Sequence, residues 1–155
     1  MLQCYTSDMY KPDADIKFAD FRILRLNFGL NKEFDSSNLH TEVHTEFKIH
    51  HELHGTTLKV FLGIKFRDDA EHKTPFTLSI KGGATFELQY PPASTEIQPL
   101  VKQYCAAAMF PYLRETIADI TRRAGFPPLH IPQVDFTRAF EQDSDSGPLP
   151  SHSLH

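Results

Sequence analysis

The 155-residue chain has no tryptophan, two cysteines and seven glycines, and Lys and Arg (16) are outnumbered by Asp and Glu (20). Each shortage excludes something. Cys4 and Cys105 cannot build a disulfide framework, so a free-thiol protein of the cytoplasm is the simpler reading. A net charge of −4 argues against nucleic acid as the main partner, because such binding rests on clustered Lys and Arg. Long apolar runs are missing too. The longest uncharged stretch with apolar character, Gln103 to Leu113, falls short of the roughly 18 residues that a membrane span needs. Met1 to Tyr10 carries Asp8, no basic residue and no apolar centre, so it does not read as a secretory signal.

Phenylalanine is abundant, at 13 residues, and hydrophobic residues make up 40% against 23% charged, the balance of a soluble globular protein. This length suits a single domain. We place it at 1–142, followed by a polar, disordered tail at 143–155.

The first half alternates. Val43, Phe47, Ile49 and Leu53 are apolar at odd positions, with charged residues or His between them, as a half-buried strand requires. Gly55-Thr56 punctuates, and Leu58, Val60, Leu62, Ile64 and Phe66 continue at even positions up to Asp68-Asp69. Phe76, Leu78 and Ile80 then lead into Gly82, Ala84, Phe86 and Leu88. Short connections favour an antiparallel meander. A less regular strand is expected over Lys17 to Phe28, and Gly82-Gly83 suggests a bulge or a close backbone approach.

Pro91-Pro92 ends the sheet and the period changes. With Ser94 as N-cap, Leu100, Tyr104, Ala107, Ala108, Met109, Leu113, Ile117 and Ile120 recur at three- and four-residue steps, one face of a helix ending near Ala124-Gly125. Pro111 is expected to kink or divide it. Phe126-Pro127-Pro128-Leu129 reads as an extended apolar crossover, and Asp135 to Gln142 as a short second helix carrying Phe136 and Phe140. Strands first and helices after make an α+β fold: a four-stranded antiparallel sheet, a long kinked helix, a Pro-rich crossover and a short helix.

Chemistry is largely missing. His50-His51-Glu52-Leu53-His54 looks like a zinc-protease helix only until Gly55 is reached, where the second His is required. His44, His50 and His54 instead lie along a polar strand face with Glu46 and Glu52. Cys105 sits in a helix beside Tyr104 and Ala106, the setting of a buried structural thiol. Lys81-Gly82-Gly83 lacks the rest of a phosphate loop, and no Gly-x-Ser-x-Gly turn occurs. Arg114-Glu115 and Arg122-Arg123 read as helix-surface charges. No catalytic centre, metal or cofactor is expected. What stands out is the aromatic and apolar second half: Phe110, Tyr112, Phe126, Leu129, Phe136 and Phe140. A Pro-Pro crossover runs over the surface, where Phe126 and Leu129 line a groove, and exposed apolar surface marks an interaction site.

Cys105-x-x-x-Met109-Phe110-Pro111-Tyr112-Leu113-Arg114-Glu115, Gly125-Phe126-Pro127-Pro128-Leu129 and Val134-Asp135-Phe136 together resemble the SecB protein-export chaperones. Their signature runs Cys-Pro-x-x-Leu-Phe-Pro-Tyr-Ala-Arg-Glu, Gly-x-Phe-Pro-x-Leu and Val-Asn-Phe. The strand with Phe76, Gly82-Gly83 and Phe86 is similar to that family's Phe…Gly-Gly-x-Phe strand, with the glycines displaced by one. The resemblance covers about Phe76 to Phe140 and implies an ATP-independent holdase that binds non-native polypeptides in hydrophobic grooves. On that likeness Phe126, Leu129, Phe136 and Phe140 line the groove, joined by Phe86 and Leu88 from the sheet and by Phe110 and Tyr112 from the helix. Met109, Leu113 and Ile117 serve helix-to-helix assembly of a dimer of dimers.

Where the family's translocase-contacting strand carries a Leu and a Glu toward SecA, this chain has Thr77 and Ser79. The second helix is interrupted early by Asp143 to Gly147, and no basic tail follows. These departures fit a member that chaperones an unstable antitoxin about as well as one serving general export. Two other readings compete. A hot-dog-type small-ligand enzyme needs an acid on the helix facing a pocket, and Glu115 is its candidate. The other is a purely structural oligomerisation module.

Overall fold

The computed structural model describes residues 16–32, 44–67 and 74–139. Four strands, β1 (Ile16–Leu30), β2 (His44–His54), β3 (Thr57–Arg67) and β4 (Phe76–Leu88), form one antiparallel sheet in the order β1-β4-β3-β2. The expected meander is β2-β3-β4, tightened at the first hairpin by Gly55 with φ +63°, which a side chain rarely adopts. The earlier strand lies beside β4, so β1 and β2 are the two edges.

Alternation sorts the two sheet faces. Leu58, Val60, Leu62, Ile64 and Phe66 of β3 and Phe76, Leu78, Ile80, Ala84, Phe86 and Leu88 of β4 are buried, and the register sets Val60 against Ala84 and Ile64 against Ile80. Between them Lys59, Phe61, Gly63 and Lys65 point to the opposite, outer face.

The irregular pattern of β1 has a simple cause. Its register against β4 shifts between Phe18 and Asp20 and again between Ile23 and Arg25. Each bulge changes the parity, so Phe18, then Phe21 and Ile23, then Leu26 and Phe28 all reach the inner face. The extra residues belong to β1, and β4 itself runs without a bulge. Gly82-Gly83 instead marks a close approach. A Cβ on Gly82 would lie 2.9 Å from the Phe21 ring and 3.1 Å from the Leu113 side chain, and one on Gly83 would meet Leu24 at 2.8 Å.

The long helix comprises α1 (Ser94–Pro99), a π-helical stretch (Leu100–Cys105) and α2 (Ala106–Arg123). Two expectations are corrected here. Ala93, extended at φ −63° and ψ 150°, is the N-cap, and no side chain caps the helix. Ser94 is its first helical residue. The departure from α geometry follows Pro99, whose missing N–H breaks the i→i−4 ladder, while Pro111 lies inside continuous α-helix. The helix packs over the middle of the sheet, α2 lying on β3 and β4. Its core-facing stripe is Met109, Leu113 and Ile117, all fully buried. That corrects their expected role in assembly: their surface is consumed by the sheet and none is left for a second subunit.

Candidate interaction surfaces

Beyond α2 the chain turns at Gly125, φ +93°. The Gly125 and Phe126 amides donate to the carbonyls of Arg122 and Thr121, at 3.1 Å each, closing the helix end. Thr121, which sequence reasoning passed over, fixes the next segment. Its buried hydroxyl donates to the Ile117 carbonyl (2.9 Å) and accepts from the Leu129 amide (3.0 Å). The crossover from Phe126 to Val134 is thereby held against the helix, with Ile131 buried as its anchor. The third helix, α3 (Phe136–Ala139), follows, and the Asp135 carboxylate accepts from the Thr137 amide at 3.0 Å.

Phe126 and Leu129 are partly buried against the core while Pro127 and Pro128 stand exposed. The Phe126 ring leans on Phe76, 5.4 Å between centroids. Phe86, Leu88, Phe110 and Phe136, expected to line the groove, are instead buried in the monomer. Phe136 sits edge-on to Phe47 at 5.6 Å and to Phe110 at 5.3 Å, pinning α3 to β2 and the helix. Phe86, Leu88, Phe110 and Phe136 therefore offer almost no free surface in the monomer. Phe140 and the tail from 143 lie outside the described residues. Tyr112 is exposed, its ring stacked on Phe21 (4.9 Å) and Phe18 (5.8 Å).

Other residues supply the accessible apolar surface. On the β2 margin Phe47, Ile49 and Leu53 are only partly covered, as is Val134 on the crossover. The alternation of β2 marked them as inward-facing, but not that β2 is an edge the helix leaves bare. On the β1 margin Ile23, Leu26 and Leu30 of the inner face are exposed by 38%, 37% and 60%. The molecule therefore leaves partly covered apolar residues on β2 and on the crossover, and exposed apolar residues on the strand at the other edge.

A sheet of this order, crossed by one long helix and a Pro-rich return, matches known proteins. The family described as preprotein translocase subunit SecB matches residues 31–146. The chain belongs to the SecB family. The protein-export protein SecB of Paraburkholderia phymatum is 41% identical over 70 residues, 45% of this chain and 44% of that protein. For SecB of a Chelativorans species the identity is 37% over 90 residues, 58% and 53% of the two chains. The chain thus spans about half the length of the curated relatives it matches. Among solved structures, the Mycobacterium tuberculosis Rv1957 SecB-like chaperone, in complex with a ChAD peptide from the Rv1956 HigA1 antitoxin, superposes with a TM-score of 0.66 at 19% identity, covering 79% of this chain and 93% of that one. That likeness shows a shared fold.

Thr77 and Ser79, which the resemblance singled out as a possible SecA-contact strand, both lie on the outer face of β4, Thr77 exposed and Ser79 partly buried. Burial pushes the Cys105 thiol up to about 12, so it stays protonated and inert. His51, inward on β2 opposite Val60, is held below the ordinary imidazole value, first by burial and then by His50. The Asp119 carboxyl lies below the usual range because Arg123 and Arg122 hydrogen-bond to it. Glu115, the acid required by the small-ligand enzyme reading, stands exposed on α2. Among the described residues no three His, Cys, Asp or Glu converge as metal ligands, and no helix is long and apolar enough to cross a membrane.

Proposed function

We propose that this SecB-family chain is an ATP-independent holdase of the cytoplasm that takes up non-native polypeptide segments along the trough between the β2 margin and the crossover. The carrying observation is that Phe126, Leu129 and Val134 of the crossover and Phe47, Ile49 and Leu53 of the β2 edge are all only partly buried against one common core. Such a surface competes with aggregation by mass action, masking apolar segments of a client without chemistry. Aromatic and aliphatic side chains give contact area without demanding particular hydrogen bonds, which suits unrelated clients.

Incubation with an aggregating client tests this: light scattering is expected to fall without ATP. Phe126→Asp or Leu129→Asp is expected to weaken client binding about tenfold, the cost of putting a charge into an apolar contact, while the circular-dichroism spectrum is unchanged. Wild-type affinity in both variants would refute the trough.

Export is the service that curated relatives named protein-export protein SecB support, with SecA as the acceptor and the outer face around Thr77 and Ser79 as its contact. A second reading is favoured by the Rv1957 chaperone, a protein of this fold seen with an antitoxin peptide: the client is then a dedicated, unstable antitoxin. A toxin–antitoxin pair encoded beside this chain supports that reading.

A further inference from the structure

The outer face of the sheet holds a hollow that the client trough does not use. Gly63, in the middle of β3, is its floor, and the cavity above measures about 480 Å³. The register builds its walls. Lys48 lies opposite Gly63 on β2, Lys81 opposite it on β4, and Arg25 opposite Lys81 on β1. Two residues away along β3, on the same face, stand Lys65 on one side and Phe61 on the other. Lys81 reaches over the Phe61 ring at 5.2 Å, and His50 stacks on it at 5.9 Å. Glu46, opposite Lys65, is the one carboxylate among the described residues that line the cavity. Arg25, Lys48, Lys65 and Lys81 make no ion pair among the described residues.

Two features here work against the fold. A glycine inside a strand costs stability, yet no close approach requires one: a Cβ on Gly63 would meet nothing nearer than 3.8 Å. Like charges paired across strands, as Arg25 and Lys81 are, repel. An anionic ligand seated on the glycine would offset both. The chemistry also includes an apolar wall, since Phe61 is flanked by Leu24, which lies over Gly83 and is 51% exposed.

We propose that this hollow docks an acidic segment of a partner protein, with carboxylates on the four cations and one bulky apolar side chain against Phe61 and Leu24. Charge complementarity selects the acid. A single phenyl ring on the described outer face, already contacted by His50 and Lys81, together with the chain's net charge of −4, disfavours single-stranded nucleic acid, which needs successive stacking platforms and a basic track. The cavity opens on the face opposite the client trough; the edge-strand residues Phe47 and Ile49 border both, and Ser79, part of the outer-face contact proposed above for SecA, lines it as well.

Fluorescence anisotropy with a fluorescein-labelled octapeptide of Asp and Glu around one central Phe tests the proposal on the full chain. Lys48→Glu combined with Lys65→Glu is expected to lower its affinity at least about tenfold, with suppression of client aggregation unchanged. Gly63→Val, which fills the hollow at a position with room for a side chain, is expected to lower affinity about fivefold or more without lowering the melting temperature. Raising salt from about 50 to 300 mM is expected to weaken wild-type binding. Unchanged affinity in both variants, equal binding of a peptide with Lys in place of every acid, or tighter binding of a twelve-nucleotide single-stranded RNA would each overturn it.

Discussion

His51 stands half-buried on the inner face of β2 between Ile49 and Leu53, where partial burial and the neighbouring His50 disfavour its charged form. Its folded-state value lies below the ordinary 6.5, so above that value folded and unfolded chains both carry it neutral and it has no effect. As the pH falls through 6.5 the unfolded chain takes the proton first, and stability is lost until the folded value is passed. Melting temperatures are therefore expected to fall between about pH 7.5 and 5.5, and less steeply in His51→Gln. Equal slopes would remove His51 from the account. The same protonation puts a charge into the trough, so apolar clients are expected to bind more weakly over the same window. At this scale the sequence was partly legible. Gly82-Gly83 announced a close approach because glycine inside an apolar strand needs a reason, and Phe21, Leu113 and Leu24 supply it. Nothing local distinguished Phe110 and Phe136, which are buried, from Phe126, which is partly open. That difference depends on which strand lies beneath each ring.

At the scale of elements, periodicity located β2, β3 and β4 to within about a residue, because alternate burial leaves a strong mark. It also located the helix, but not its irregular turn. Pro99 and Pro111 are equally prominent in the sequence, and the break follows the first. The crossover depends on one tertiary hydrogen bond that no periodicity reports, the Leu129 amide on the Thr121 hydroxyl. Thr121→Val preserves the shape and removes the acceptor. A loss of about 1–2 kcal/mol in urea unfolding is expected, with faster hydrogen exchange at the Leu129 amide. Thr116→Val is the control, since the exposed Thr116 hydroxyl only donates back to the Tyr112 carbonyl of its own helix. Should the two variants unfold alike, the hydroxyl does not hold the crossover.

The whole molecule is asymmetric because one helix cannot cover four strands. With α2 on β3 and β4, each edge strand keeps apolar residues on the helix-bearing face, and the two margins differ. The β2 margin meets α3 where Phe47 packs on Phe136, and it is the side on which the client trough is proposed. The β1 margin is open, with Ile23, Leu26 and Leu30 exposed and with the outward backbone edge of a 15-residue strand unpaired among the described residues. An edge of this length and apolar character suits a second copy, and it is expected to take the assembly role first assigned to Met109, Leu113 and Ile117. Each such residue contributes roughly 1.5–3 kcal/mol when buried, so a pair of charges is enough to abolish the contact. Sedimentation of the wild type is expected to show a species larger than the 17.7 kDa chain, and Ile23→Glu with Leu26→Glu is expected to return it to 17.7 kDa. The dissociated variant keeps its own trough and is expected to bind a short apolar peptide with unchanged affinity. For a long unfolded client it is expected to lose about a hundredfold, because one chain can no longer engage several linked troughs at once. An equal loss for both ligands would place the client site across the subunit contact instead of within each subunit.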